Sequence, residues 1–268
     1  MPNANTEQTT YHTRMMKCTL EVDHSRSYWQ ACGEVGRPVT TAEAFEKAIF
    51  GSRTYSRVER LIADMRHRFD AFPMSLEVLM RWADAKPSDR TVICHLHTQL
   101  ADPLYRQFTG AFLVERYESL RSSIDRELVI DWIESVVPGR WKVPTRSKIA
   151  SKMMTSAMTV GLLESNRDPR SIAFPQVSDT VIAYLMFLLR QIEFSGSLLK
   201  NPYVASLGFD LETLVARLRM IPSLGFNRQG DLLHFGWRYE DLMRWAEGEL
   251  SLAPAVAPCL SVSHVEAS

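Results

Sequence analysis

Cysteine is scarce: Cys18, Cys32, Cys94 and Cys259 stand far apart in 268 residues, with no CxxC pair among them. That excludes the dense bridging of a small secreted scaffold and the ligand spacing of a zinc finger, so reduced cytosolic thiols are expected. Long apolar runs are also missing. The longest, residues 181–189 (VIAYLMFLL), falls far short of the roughly 20 residues that cross a bilayer core, and it predicts a buried helix instead. The opening stretch, MPNANTEQTTYHTRMMKC, lacks the apolar segment of a secretion signal. A disordered extension is expected over residues 1–17, and a cytoplasmic location for the protein.

Excess charge of one sign is absent too, because 31 Lys and Arg balance 31 Asp and Glu. Wholesale polyanion binding is thereby excluded, and any nucleic-acid site must be local. The signatures of common enzymes do not occur: there is no GxGxxG, Walker loop, HExxH or GxSxG. Cys94-His95-Leu96-His97 invites a metal reading, yet on a helix the two histidines point about 200° apart and cannot share an ion. No metal, cofactor or catalytic residue is expected, and Asp125, Asp131 and Glu134 read as ordinary residues of a helix start and its exposed face.

What the chain does have is helical patterning. Thr40-Thr41-Ala42-Glu43 is a capping box opening a helix that Gly51 closes. Residues 52–69 follow, with Tyr55, Val58, Leu61, Ile62, Met65 and Phe69 at three-to-four spacing. The other positions of that helix carry Arg53, Arg57, Arg60, Arg66 and Arg68. Further helices are predicted at 75–85, 88–100, from Pro103 onward, from Asp125, over 180–194, 211–220 and 239–246. Polar turns at Ser165-Asn166-Arg167-Asp168-Pro169-Arg170 and at Asn227-Arg228-Gln229-Gly230 each separate short apolar runs, which predicts two hairpins.

Charge is concentrated in one place. Residues 138–152 hold Arg140, Lys142, Arg146, Lys148 and Lys152 and no acid, which leaves the rest of the chain at a net −5. A cationic block in a balanced chain is the footprint of a phosphate-binding face. At about 100° per residue, Ile149, Met153, Ala157 and Val160 form the inner stripe of the helix that starts near Thr145. Lys148, Ser151, Lys152 and Thr155 fall on the outer side, where cations and short hydroxyls suit phosphate oxygens and base edges. The bland alternative is a solvated polar face. Arg167 and Arg170 in the first hairpin favour binding, and the sequence of helix, strand, turn and strand outlines a winged helix. Arg53, Arg57 and Arg60 are further candidates to follow a phosphate backbone, or else to pair with local acids.

The order of segments resembles the BrxA family of BREX phage-defence systems. Ser52-Arg53-Thr54-Tyr55-Ser56-Arg57-Val58, running on through Arg68 to Phe72-Pro73, is similar to an early arginine-bearing helix of that family. Tyr105-Arg106-Gln107-Phe108 with Val114-Glu115-Arg116-Tyr117 is similar to its middle segment. Pro144-Thr145-Arg146-Ser147-Lys148-Ile149, ending at Gly161-Leu162-Leu163, is similar to its most recognisable one. The resemblance covers residues 17–174. It implies a small, mostly helical, non-enzymatic DNA-binding component that acts beside a methyltransferase, an ATPase and a phosphatase-like protein. The region from Asn201 onward departs from the pattern.

Together these readings predict a mainly α protein: a helical bundle over residues 18–137, a winged-helix-like DNA-binding half with two short hairpins over 138–250, and a disordered tail over 251–268. The expected function is binding of double-stranded DNA, mainly through phosphates. The alternative is an adaptor whose basic face docks an acidic partner surface.

Overall fold

A computed structural model of the chain describes residues 5–229 and 232–254. It is mainly helical, as the periodicity predicts. The first half is built from α1 (Val22–Val35), α2 (Thr41–Glu46), α3 (Tyr55–Met65), α4 (Pro73–Arg81), α5 (Pro87–Ala101), α6 (Pro103–Gln107) and α7 (Leu113–Glu118). Strand β1 (Ser123–Ile124) leads into α8 (Arg126–Val136) and α9 (Val143–Val160), and β2 (Arg170–Ser171) follows. The remainder comprises α10 (Asp179–Leu189), α11 (Pro202–Ala205), α12 (Leu211–Met220), the hairpin β3 (Leu224–Gln229) and β4 (Leu232–Trp237), and α13 (Leu242–Glu249).

Local chemistry sets the helix ends. The Thr40–Glu43 capping box forms as expected, with Thr40 Oγ1 accepting from Glu43 N at 3.2 Å and Glu43 accepting from Thr40 N at 2.7 Å. Asp125, Ser178, Asp210 and Asp241 each accept a backbone N–H in the first turn of the helix they precede, which satisfies donors that the helix itself cannot.

Two π-helical turns break the regular period. α3 runs on through Arg66–Asp70, and α6 passes through Phe108–Phe112 into α7. The first corrects the placement of Arg68 on the outer, arginine-bearing side. The wider turn carries it inward to 2% exposure, where it pairs with Asp64 at 2.6 Å and donates to the carbonyls of Leu20 (2.7 Å) and Thr19. In the second, Gly110 lies so close to Pro202 at the start of α11 that any Cβ would collide with it. Glycine is required there by contact, not by conformation.

α10 is buried along its whole length, Val181 to Leu189. It packs on α5, α12 and α13, and Phe187 stacks on Trp245 with ring centroids 5.7 Å apart. No helix of the described residues is long and apolar enough to cross a membrane. Because α10 meets α5 and α13 meets α4, one core runs through both halves.

The N-terminal segment corrects an expectation. Far from being disordered, the described part of residues 1–17 is fastened to the body of the protein. Thr6 bridges Glu193 in parallel, Gln8 N donates to Leu100 O at 2.8 Å, and Glu7 is buried against Arg106, Tyr203 and the backbone of Ser195. Met15 and Cys18 enter the core. Part of the expected tail is also placed: Leu252 bridges Trp82, and Ala253 N donates to Arg81 O at 2.8 Å. Residues 255–268, with Cys259, lie outside the described residues.

The second predicted hairpin is present as β3–β4, paired from Leu224↔Trp237 to Gln229↔Leu232. Its strand continues through Asn227-Arg228-Gln229, where a turn was expected, and Gly230 lies outside the described residues. The first pairing is shorter. Leu163 bridges Ile172, and β2 pairs antiparallel with β1 through Ser123↔Ser171 and Ile124↔Arg170.

Candidate nucleic-acid interface

α8 and α9 pack on each other and are joined by a tight turn in which Gly139 takes φ +67°. Lys142 sits at the N-cap of α9 in an extended conformation, Pro144 occupies the first turn, and Gly161 at φ +88° ends the helix. Pro suits the first turn because its missing N–H would be unpaired there anyway, and Gly tolerates the left-handed cap. Ile149, Met153, Ala157 and Val160 are buried as the helical period requires, with Ala150 and Met154 beside them. Lys148, Lys152 and Thr155 are exposed on the other side, and Thr145 and Ser151 are half-buried at its margin.

The cations of the block have different fates. Arg146 is mostly buried and is held by Glu134 of α8. Arg140 donates to Tyr11 O at 2.8 Å and lies over the Trp141 ring at 5.7 Å. Lys142, Lys148 and Lys152 are exposed and make no ion pair among the described residues. The hydroxyls also differ from expectation. Ser151 Oγ donates to Ser147 O at 2.9 Å, and Thr155 Oγ1 to Ser151 O at 2.8 Å. Their protons are turned onto the helix's own carbonyls, which is the usual habit of Ser and Thr within helices. They present acceptor lone pairs outward, a poor match for phosphate.

The loop between Leu163 and β2 is pinned at its base. Asp168 pairs with Arg170 at 2.8 Å and accepts from Arg126 N, the first residue of α8, at 3.1 Å. Those contacts and the Arg170 cation draw the Asp168 carboxyl below its usual range against a desolvation that pushes it up. Arg170 is thus committed within the fold, while Arg167 stays exposed in the loop.

Arg53, before α3, and Arg57 and Arg60 within it have other surroundings. Arg57 pairs with Glu21 at 3.3 Å and donates to Lys17 O at 3.2 Å. Arg60 donates from Nε to Ser56 O at 3.1 Å and is exposed, as is Arg53. Arg60 lines a cavity of about 320 Å³ together with His12, Thr13, Arg14, Lys17, Cys18, Ala63 and Asp64. Arg14 and Lys17 were no part of the expected site, because the segment that holds them reads as a polar extension. The buried Met15, Cys18 and Leu20 among them are the signal that this segment packs.

His95 and His97 are both fully buried and face different partners. His95 meets Tyr105 Oη and Ser206 Oγ, each at 3.0 Å; His97 meets Arg68 O at 3.0 Å and Tyr184 Oη at 2.8 Å. Burial pulls them down to about 3 and about 4, so they are neutral hydrogen-bonding core residues. Among the described residues no group of three or more His, Cys, Asp or Glu could hold a metal ion.

No curated protein matches the chain. A crystal structure of an uncharacterized protein from Magnetospirillum magneticum is similar in fold, with a TM-score of 0.55 and 17% sequence identity over 74% of this chain and 98% of that one. The BrxA family model matches residues 10–188, from the N-terminal segment through most of α10. That span is well over half of the chain and holds α8, α9 and the pinned loop: the chain belongs to the BrxA family, whose members are components of BREX phage-defence systems.

Proposed function

We propose that the chain is the duplex-DNA-binding, non-enzymatic component of a BREX-type system, and that α7 through β2 act as a winged helix. The order supports the reading: helix α7, strand β1, helices α8 and α9, a strand residue at Leu163, an exposed loop, then β2 paired back on β1. In such a unit the second helix of the pair enters the major groove, and the loop lies along the flanking backbone. Here α9 is that helix and Arg167 sits in that loop.

The single observation that carries the proposal is the outer face of α9. Lys148 and Lys152 stand exposed one turn apart with no acid paired to them, and Lys142 continues the charge to the helix start. The positive end of the helix macrodipole lies there as well. With the hydroxyls turned inward, the face offers charge rather than base-reading donors, so binding is mostly through phosphates with little sequence preference. The protein acts in the cytoplasm beside the methyltransferase, ATPase and phosphatase-like members of the system.

Fluorescence anisotropy with several unrelated duplexes across a salt series tests this. Binding to all of them, with log K falling linearly against log salt, is the expected result. No binding at low salt overturns it, and the basic face then serves to dock an acidic protein surface.

A further inference from the structure

The cavity between the N-terminal segment and α3 is lined by cations that no ion pair among the described residues neutralises. Arg14, Lys17 and Arg60 line it, all three exposed and none ion-paired among the described residues. Its one acid, Asp64, is already paired with Arg68 at 2.6 Å beneath it. Three like charges around one hollow repel each other, and the buried Asp64 carboxyl offsets only part of that through Arg14. At about 320 Å³ the hollow is near the small end of ligand sites, large enough for a phosphodiester group.

Its position links it to the α9 face. Arg140 of the basic block donates to Tyr11 O, and Arg14 follows only three residues later. That length of chain spans at most roughly 10 Å. The short 3-10 turn Arg14–Met16 itself packs on α9. We infer that this cavity is a second phosphate site, which takes a backbone phosphodiester of the same DNA that α9 engages; this rests on the DNA reading above. Lys17 supplies a point charge and Arg14 guanidinium N–H groups from the N-terminal segment, and Arg60 supplies further guanidinium N–H groups from α3, since its Nε alone is used by Ser56 O.

The test compares three forms of the full chain: the parent, Arg14→Ala/Lys17→Ala/Arg60→Ala, and Lys148→Ala/Lys152→Ala. Salt-dependent anisotropy with a duplex several turns long gives the slope of log K on log salt. The cavity variant is expected to lower its magnitude by about one, for the one phosphate that is no longer neutralised. If that slope stays at the parent value while the Lys148/Lys152 variant weakens binding, the cavity proposal falls and the α9 reading stands. If neither variant changes binding, both fall. Thermal melting of parent and cavity variant in inorganic phosphate against chloride, at matched ionic strength, separates the sources. Stabilisation of the parent alone with an unchanged duplex slope assigns the hollow to free phosphate and overturns the proposal. Should the triple variant fold poorly, Arg14→Gln/Lys17→Gln answers the same question, with an expected slope change of up to about one.

Discussion

Glu7, near the start of the described chain, and Arg106 of α6 form a buried ion pair, 3.4 Å from Oε2 to Nε. The same carboxylate accepts from Ser195 N at 2.9 Å and from the Tyr203 hydroxyl. One side chain thus ties the N-terminal segment to α6 and to α11.

Replacing Glu7 leaves Arg106, Tyr203 and Ser195 N without their shared acceptor in a site only 7% exposed. Removing one partner of a buried pair costs roughly 3–5 kcal/mol. Glu7→Ala is therefore expected to lower the urea midpoint strongly. An unchanged midpoint would show that the segment is not fastened there.

The fates of the cations separate binding from stability. Lys148→Ala/Lys152→Ala should lower the magnitude of the DNA salt slope by about two and leave the melting temperature near the parent value. Arg146→Ala should do the reverse, because that guanidinium is engaged by Glu134 between α8 and α9. Anisotropy and melting on both variants check this. A larger slope change from Arg146→Ala would mean that the ion pair opens on DNA.

Leu185 is 1% exposed in the middle of α10, with neighbours on both sides of the helix. An unpaired charge there costs several kcal/mol. Leu185→Lys is expected to unfold the protein or lower its melting temperature sharply by circular dichroism, and a parent-like melt would refute the packing of α10.

His67, His95 and His97 are pulled to about 4, about 3 and about 4, chiefly by burial, from an ordinary value of 6.5. In the unfolded chain they take up protons as pH falls below 6.5, whereas in the fold they resist. Their contribution is fully present above pH 6.5 and is lost as pH falls toward their folded values. Each uncharged buried histidine adds up to about 1.4 kcal/mol per pH unit in that window. The buried carboxyls of Asp64 and Asp102, pushed up by desolvation, act with the opposite sign. Urea midpoints between pH 8 and 5 for the parent and for His95→Gln isolate the histidine effect. The variant should lose about one proton's worth of slope, and identical slopes would contradict a neutral, buried His95.

Much of this protein was legible in its sequence. Apolar spacing gave the inner stripe of α9, and the unbroken run at 181–189 gave a helix buried on all sides, because both follow from a period fixed by the backbone. Thr40–Glu43 and the capping Asp residues mark helix starts for the same local reason. The resemblance carried by Pro144 to Leu163 led to the family that the match over residues 10–188 establishes.

Tertiary structure decided the rest. The sequence could not tell Arg146 from Lys148, since only the packing of α8 on α9 brings Glu134 to one and leaves the other free. It could not place Arg68 inside, because a π turn shifts the helical phase that the period assumes. Nor could it show that a polar N-terminal stretch is ordered. Glu7, Tyr11 and Met15 find their partners on segments far along the chain. Such contacts leave no local pattern, because they depend on how distant helices meet and not on the residues beside them.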